Sequence, residues 1–354
     1  MKKAVRVILY IIGILILIVA LLLAWLSIAE YRPEPVEKED IVSGTTADLT
    51  LTPGSTFSVT TWNIGYAGLG AGSDFFMDGG TNVKSADEDQ VTAYLKGIRD
   101  TLDAEGKANI YLLQEVDRDS HRTYGIDEAE FLGKNSYTTA LNYSCPFVPY
   151  PWPPIGKVQS GLMNMSEYTI SESNRISLPC PFKWPLRIAN LKRCLLVNYI
   201  PIQGTDRYLV TVDLHLEAYD SGEGKIAQSQ QLREFIASEY AKGNYVIAGG
   251  DFNQNFPGTT DIYPDRHSDL WSPGELDSSL LPDGFSYAYD LSSPTCRLLN
   301  QPYNPSDTEN TQYYVIDGFI VSPNIRVENV KTIDAGFANS DHNPVHMTVT
   351  LLDS

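Results

Sequence analysis

The side chains in this sequence best suited to binding a hard cation and moving protons are Asn63, Glu115, His215, Asp251, Asn253, Asp317, Asp341 and His342. Imidazoles, carboxylates and carboxamides together can supply oxygen ligands to a divalent ion and acid–base groups beside it. No thiolate stands among them, which favours Mg²⁺, with Mn²⁺ as the other fit, over zinc. Asp251 and Asn253 are separated by one residue, so in extended chain both lie on the same face. Each residue also has an ordinary alternative. Asn63 and Asn253 could form turns, Asp317 could cap a neighbouring loop, Asp341 could open an Asx turn before Pro344, and a lone His215 at a strand end could be structural. All of these at once would leave several buried charges with nothing to balance them.

Short apolar runs are what would position these residues. Residues 57–63, 109–115, 207–215 and 245–251 read as strands, and each ends on one of them. Residues 313–321 read as one strand with Asp317 in its middle, and 346–352 as the last strand, entered from the polar loop that carries Asp341 and His342. Further strands are expected over 161–171 and 192–199. Helices are expected over 86–105, with Val91, Tyr94, Leu95, Ile98 and Leu102 at helical spacing and Gly106 past the end, and over 225–241, with Ile226, Leu232, Phe235 and Ile236 on one face. Alternating strands and helices make this an α/β fold. Residues 118–158 and 254–310 read as long irregular segments. The first is polar, aromatic and proline-rich, which suits a binding wall, and Arg118, Arg122, Asn142 and Lys157 are its candidate substrate contacts.

The 354 residues are 43% apolar, enough for a sizeable core. The net charge is −18, and the first 29 residues hold Lys2, Lys3 and Arg6 but no acid, so the remainder is more acidic still. Such a body repels long nucleic acids unless a metal or a local basic patch intervenes. The four cysteines form no C-x-x-C pair, which argues against structural zinc. A Cys180–Cys194 disulfide is open, although Cys194 sits in an apolar run that suits a buried free thiol.

Residues 7–29 are apolar and uncharged; at about 1.5 Å per residue they would cover roughly 34 Å, more than the hydrocarbon core of about 30 Å. The expectation is a transmembrane anchor over residues 1–29. Basic residues before it and acids after it put the N-terminus in the cytoplasm and the remainder outside, as a single-pass protein of the cell membrane. Cleavage after Ser27-Ile28-Ala29 is the competing reading, disfavoured by the length of the apolar run. Residues 30–52, rich in Pro, Glu, Thr and Asp, read as a flexible solvated linker, and 53–354 as one catalytic domain.

Six short motifs carry a resemblance. Thr61-Trp62-Asn63-Ile64, Leu113-Gln114-Glu115-Val116, Asp213-Leu214-His215-Leu216, Gly250-Asp251-Phe252-Asn253, Ile316-Asp317-Gly318-Phe319 and Ser340-Asp341-His342-Asn343-Pro344-Val345 stand in the order and rough spacing of the endonuclease/exonuclease/phosphatase superfamily. That superfamily includes pancreatic-type deoxyribonucleases, abasic-site endonucleases, neutral sphingomyelinases and inositol polyphosphate 5-phosphatases. The resemblance implies a four-layer α/β/β/α sandwich of two mixed sheets with the site at one end. It implies Glu115 as the principal Mg²⁺ ligand, assisted by Asn63 and Asp341. Asp251 and Asn253 would orient the attacking water or a phosphoryl oxygen, with Asp251 a candidate general base. His342, aligned by Asp317, and His215 would stabilise phosphoryl charge or protonate the leaving group.

The bond attacked would be a phosphoester. An anchor within reach of lipid headgroups and an acidic body favour a lipid or small-molecule phosphodiester, handled by a monomer, over nucleic acid. The alternatives are a surface-tethered nuclease and a catalytically silent binding module.

Overall fold

Short runs rich in branched and aromatic residues form the strands, which collect into two sheets. The computed structural model describes residues 2–44, 49–84, 86–104, 107–220, 222–267, 269–307 and 309–353. Its strands are β1 (Val36–Lys38), β2 (Thr56–Asn63), β3 (Ile110–Asp117), β4 (Ser136–Val148), β5 (Gly156–Ser166), β6 (Glu172–Ser177), β7 (Cys194–Pro201), β8 (Tyr208–His215), β9 (Tyr245–Asp251), β10 (Ser286–Ala288), β11 (Asp317–Val321), β12 (Ile325–Thr332) and β13 (Val345–Leu351), besides two-residue ladders. The helices that matter here are α1 (Lys2–Ile28), α2 (Glu88–Ala104), α3 (Glu128–Leu132) and α4 (Glu223–Ala241).

One sheet runs β1-β6-β7-β8-β9-β11-β10 and the other β12-β13-β2-β3-β5-β4. Both are mixed: β8 with β9 and β2 with β3 are parallel, and their other neighbours are antiparallel. Leu51, Phe57, Leu112, Ile247, Phe319 and Met347 fill the space between the sheets. Val91, Leu95 and Ile98 of α2 cover Trp62, Leu113 and Met163 on the outside of one sheet. Leu232 and Ile236 of α4 cover Val197, Val212 and Val246 on the outside of the other. These are the four layers of an α/β/β/α sandwich.

Several local expectations change. Residues 136–148 form a long edge strand, although 118–158 reads as irregular; β4 pairs along its length with β5, and its burial alternates with a weak contrast because buried positions include the polar Thr138 and Asn142 while half-buried ones include Leu141 and Phe147. The strand expected over 313–321 is broken, with Tyr313–Tyr314 pairing elsewhere and β11 starting at Asp317. Ile226 is exposed, so it is not part of the inner face of α4. The C-terminal end expected for α2, at Glu105 and Gly106, lies outside the described residues. All four cysteines are free.

Residues 30–52 differ most from expectation. Of this stretch, 45–48 lie outside the described residues. The rest is fastened to the domain: β1 pairs antiparallel with β6, Val42 bridges Tyr137, Leu49 bridges Tyr168 and Leu51 bridges Ile202. Backbone pairing does most of the fastening, since Val36, Val42 and Leu49 are exposed, while Leu51 is fully buried between the sheets and Ile41 packs partly buried against the same core. Glu30 is buried too, accepting from Arg187 Nε at 2.9 Å and from Arg32 Nη2 at 3.0 Å. A strap of this kind replaces the solvated linker.

Truncating Leu51 to Ala should therefore lower the unfolding free energy of the full chain by about 2–5 kcal/mol, the usual cost of emptying a packed leucine site. Chemical denaturation checks this, and an unchanged midpoint would restore the solvated linker.

Candidate active site

Strand register brings the polar residues together. In the parallel pair β8/β9, His215 stands opposite Asp251; in the antiparallel pair β9/β11, Asp251 stands opposite Asp317. Three neighbouring strands thus present His215, Asp251 and Asp317 side by side. Gly250 makes this possible, because a Cβ there would lie 1.9 Å from the Leu214 carbonyl oxygen. From the facing sheet come Asn63 at the end of β2 and Glu115 near the end of β3. Successive strand residues normally point to opposite faces. Here the β3/β5 register shifts between Gln114 and Val116, and Glu115 takes φ +56°. The bulge turns its carboxylate back to the same side as Asn63, at a backbone cost of about 1–3 kcal/mol. Asn253 is also left-handed, at φ +50°, in a turn closed by its own N–H donating to Asp251 Oδ1 at 2.8 Å.

Asn63 stitches the two sheets together: its Nδ2 donates to Glu115 Oε1 and to Asp251 Oδ2, each at 3.0 Å, while its Oδ1 accepts from the Gly65 N–H. In this orientation the amide nitrogen faces the carboxylates, so Asn63 would offer oxygen to a cation only after its amide turns. The loop bearing Asp341 and His342 is fixed by Ser340, which donates to the Asn63 carbonyl at 2.8 Å, and by Trp62 Nε1, which donates to the His342 carbonyl at 2.8 Å.

The two imidazoles differ. His342 Nδ1 lies 2.8 Å from Asp317 Oδ2; burial works against its charge, but Asp317, with Cys296 and Asp341 adding to it, carries its pKa well above the ordinary histidine value. His215 is driven well below that value by burial, with Arg193 and His342 repelling a second positive charge. Asp251 sits between them, its Oδ2 3.5 Å from His215 Nε2 and 3.9 Å from His342 Nε2. Burial and the nearby Asp317 push its carboxyl up to about 6. A protonated imidazole, a neutral one and a carboxyl group titrating near neutrality form a set able to give and take protons around one point.

Asp341 is pushed up to about 7 by burial, with the Glu115 charge adding to it and His342 opposing. A buried carboxyl raised by a neighbouring carboxylate in this way marks a place where a cation would be welcome. The backbone is moulded around it, since a Cβ on Gly65 would come within 2.9 Å of Asp341 Oδ1. Glu115 and Asp341 are thus fit to hold a divalent ion. Cys296 adds a sulfur that the sequence reading left out; its Sγ lies within 4.8 Å of donor atoms of Asp341 and His342. Burial pushes that thiol up to about 12, and it is the one soft donor beside carboxylates and an imidazole, a set that suits a hard cation chiefly through its oxygens.

These groups open into a cavity of about 640 Å³ lined by Glu115, His215, Asp251, Asn253, Asp341 and His342. Of the four expected substrate contacts, Arg122 and Asn142 line it. Arg118 and Lys157 lie off its wall, paired with Asp127 and Asp119. Arg122 is itself held by both Asp117 oxygens, at 2.8 and 2.9 Å, and stacks 3.5 Å from the Tyr66 ring centre. Glu128 of α3 accepts from the Asp117 N–H at 2.8 Å and completes that bracket. Asn142 is buried with no hydrogen-bond partner for its Nδ2 among the described residues.

Sequence reading missed Tyr66, Asp117, Asp78 and Tyr219. Tyr219 donates to Asp78 Oδ1 at 3.0 Å on the cavity wall. Asp117 could have been found, since it lies two residues beyond Glu115 on the same strand. Asp78 and Tyr219 come from loops far apart in sequence and carry no local signal.

Two measurements follow from this geometry. Replacing Asp317 by Asn should lower the His342 pKa, read from imidazole proton shifts across a pH titration; an unmoved pKa would show that another group holds the charge. Second, in chelator, Asp251 and Asp341 bind protons more tightly folded than unfolded, so their contribution to stability falls as pH rises from about 4 to about 7. Asp251→Asn should flatten that fall in melting temperature, and an unchanged slope would assign it elsewhere.

The fold recurs in known structures. The chain aligns with an endonuclease/exonuclease/phosphatase protein from Beutenbergia cavernae at TM-score 0.55 and 17% identity, over 84% of this chain and 72% of that one. Family proteins from Leptotrichia buccalis and Bacteroides thetaiotaomicron align at TM-score 0.50 and 15% identity, covering 82% and 85% of this chain and 98% and 99% of theirs. No curated protein matches the sequence. The profile of the endonuclease/exonuclease/phosphatase family matches residues 60–342, from β2 to the histidine that faces Asp251, and the chain belongs to that family.

Proposed function

We propose that this protein is a membrane-anchored, Mg²⁺-dependent phosphodiesterase, with Mn²⁺ as the other fitting ion, that hydrolyses a lipid-headgroup or small-molecule phosphodiester by in-line attack of water. Members of its family are hydrolases of phosphoester bonds and generally depend on a divalent metal. The proposal extends to a monomer whose N-terminus is cytoplasmic and whose catalytic domain lies outside. Over Lys3–Ile28, α1 is long and apolar enough to cross a membrane.

The observation that carries the substrate preference is the cavity itself. It joins the carboxylate–imidazole cluster to an apolar wall that reaches Leu23 and Leu26 of α1. A polyanion would want cations there instead. Arg118, Arg122 and Lys157, the side chains best placed in sequence to serve it, are each engaged by an acid in a body of net charge −18.

A bound divalent ion would neutralise phosphoryl oxygen charge, and Glu115 and Asp341 would hold it, with Asn63 as a third ligand. The chain's own residues supply the remainder. Asp251 accepts a proton from the attacking water, and Asn253, beside it, orients that water or a phosphoryl oxygen. His342, kept protonated by Asp317, donates to a phosphoryl oxygen or to the leaving group, and the neutral His215 lies across Asp251 to bond the same centre. Charge-matched donors held rigidly in a buried site are worth more than in water, because they need no reorganisation during reaction.

The test uses purified full-length protein with Mg²⁺ and a panel of sphingomyelin, phosphatidylinositol species, plasmid DNA and an abasic-site duplex. Hydrolysis of a lipid phosphodiester is expected, abolished by chelator and reduced roughly 10²–10⁴-fold by Asp251→Ala or His215→Ala. Faster cleavage of plasmid would make the protein a nuclease. No hydrolysis of any phosphoester would make it a binding module.

A further inference from the structure

We infer that the apolar arm of the cavity receives one hydrocarbon chain of the substrate, entering beside the end of α1 from the bilayer that α1 would span. The inference rests on the phosphodiesterase reading and adds to it where the substrate's tail lies.

The arm is built from three separate parts of the chain. Leu23 and Leu26 of α1 form one wall, Val148 and Ile155 of the proline-rich loop a second, and Leu186 and Ile188 a third. Leu26, Val148 and Ile188 are buried in one cluster with Cys145 and Val158, separate from the cores of the sandwich. The helix is therefore seated on the domain at its C-terminal end, whereas Leu15, Leu17 and Leu21 further up are 56–61% exposed. Trp184 Nε1 donates to Ser27 Oγ at 3.0 Å, and Arg187 reaches Glu30, so the segment carrying Leu186 and Ile188 is tied to the helix end.

The rim of the arm is apolar and turned outward. Tyr150 is 73% exposed and Leu186 67%, both on the cavity, and Trp152 beside them is 86% exposed. Aromatic side chains in such positions, next to the end of an apolar helix, suit the boundary between membrane and water. A headgroup analogue without a tail would occupy the carboxylate–imidazole end and leave the arm in contact with water, which an apolar lining disfavours. A chain leading from the phosphate past Tyr66 and Phe76 to Leu26 would cover it.

The experiment measures hydrolysis of p-nitrophenyl alkyl phosphates, methyl to octyl, by the full chain in nanodiscs with Mg²⁺. These diesters share one leaving group and differ only in tail. Each methylene taken from water into the arm is worth up to about fourfold in affinity, so 1/KM should climb steeply with chain length and then level off while kcat stays nearly constant. A flat series would overturn the arm. Ile188→Trp, which fills its middle, should bring the plateau to a shorter chain; if the variant melts at the wild-type temperature and keeps the wild-type series, the arm is also overturned. If no member of the series is cleaved, the phosphodiesterase reading fails, and calorimetry with methyl phosphate and octyl phosphate decides the arm separately. At least tenfold tighter binding of the octyl ester supports it, and equal binding removes it.

Discussion

Charge balance in a buried place is the constraint on which this molecule depends. Glu115, Asp251, Asp317 and Asp341 meet two imidazoles at one end of a sandwich whose sheets pack on each other through a large apolar core. Unpaired, such groups would cost several kcal/mol each. The fold meets part of that cost by geometry: Asp317 takes His342, Asn63 takes Glu115 and Asp251 together, and the Asn253 N–H takes the other Asp251 oxygen, while Asp317 Oδ1 and His215 Nδ1 have no partner among the described residues. Asp341 and Asp251 are left with raised pKa values, so the residual imbalance sits where a cation and a substrate phosphate would relieve it.

The same constraint explains the local departures from ideal backbone. A strand end can present one side chain per face, yet the cluster needs Gln114 and Glu115 both turned inward. Gln114 is spent on Asp213, a buried carboxylate of the opposite sheet, at 2.7 Å. The bulge at Glu115 then supplies the second inward side chain. Positive φ at Glu115, Asn253, Tyr66 and Ala67 gathers around this one end, which is where strain is repaid by function.

Much of this was legible in sequence because the chemistry sits on strands. Strand ends announce themselves through apolar runs that stop at a polar residue, and Asn63, Glu115, His215 and Asp251 could be read that way. Alternation of strands with α2 and α4 pointed to the α/β class, and the resemblance carried by the six motifs implied the four layers. What could not be read was anything depending on contact between distant loops. Tyr219 meets Asp78 across 141 positions, and no local pattern marks either. The strap was illegible for a different reason: it is held mainly by backbone pairing and by the single fully buried Leu51, which leave no periodicity, so composition alone suggested a solvated linker. Arg118 and Lys157 were read as a wall from charge alone, whereas acids on neighbouring turns had already claimed them.

Seating the helix end changes what an anchor does. A flexible linker would let the domain sample many attitudes, and the direction of the cavity would then mean little. Here Glu30, 1% exposed at its side chain, is gripped by Arg32, Arg187 and Lys192, and Leu26 is buried beside Ile188. Burial alone would raise the Glu30 carboxyl, but hydrogen bonds from Arg187 and Arg32 outweigh it and lower its pKa, so the grip holds a charge. Arg32 and Arg187 are 64% and 42% exposed at their side chains, so water screens their pull, and the buried Glu30 and Leu26 do most to hold the helix end in place. The orientation of α1 therefore sets the orientation of the cavity. Under the proposed anchoring, an entrance held at a fixed angle to the apolar helix would need no surface charge to meet a lipid substrate, which accords with a chain that carries 44 acids against 26 bases.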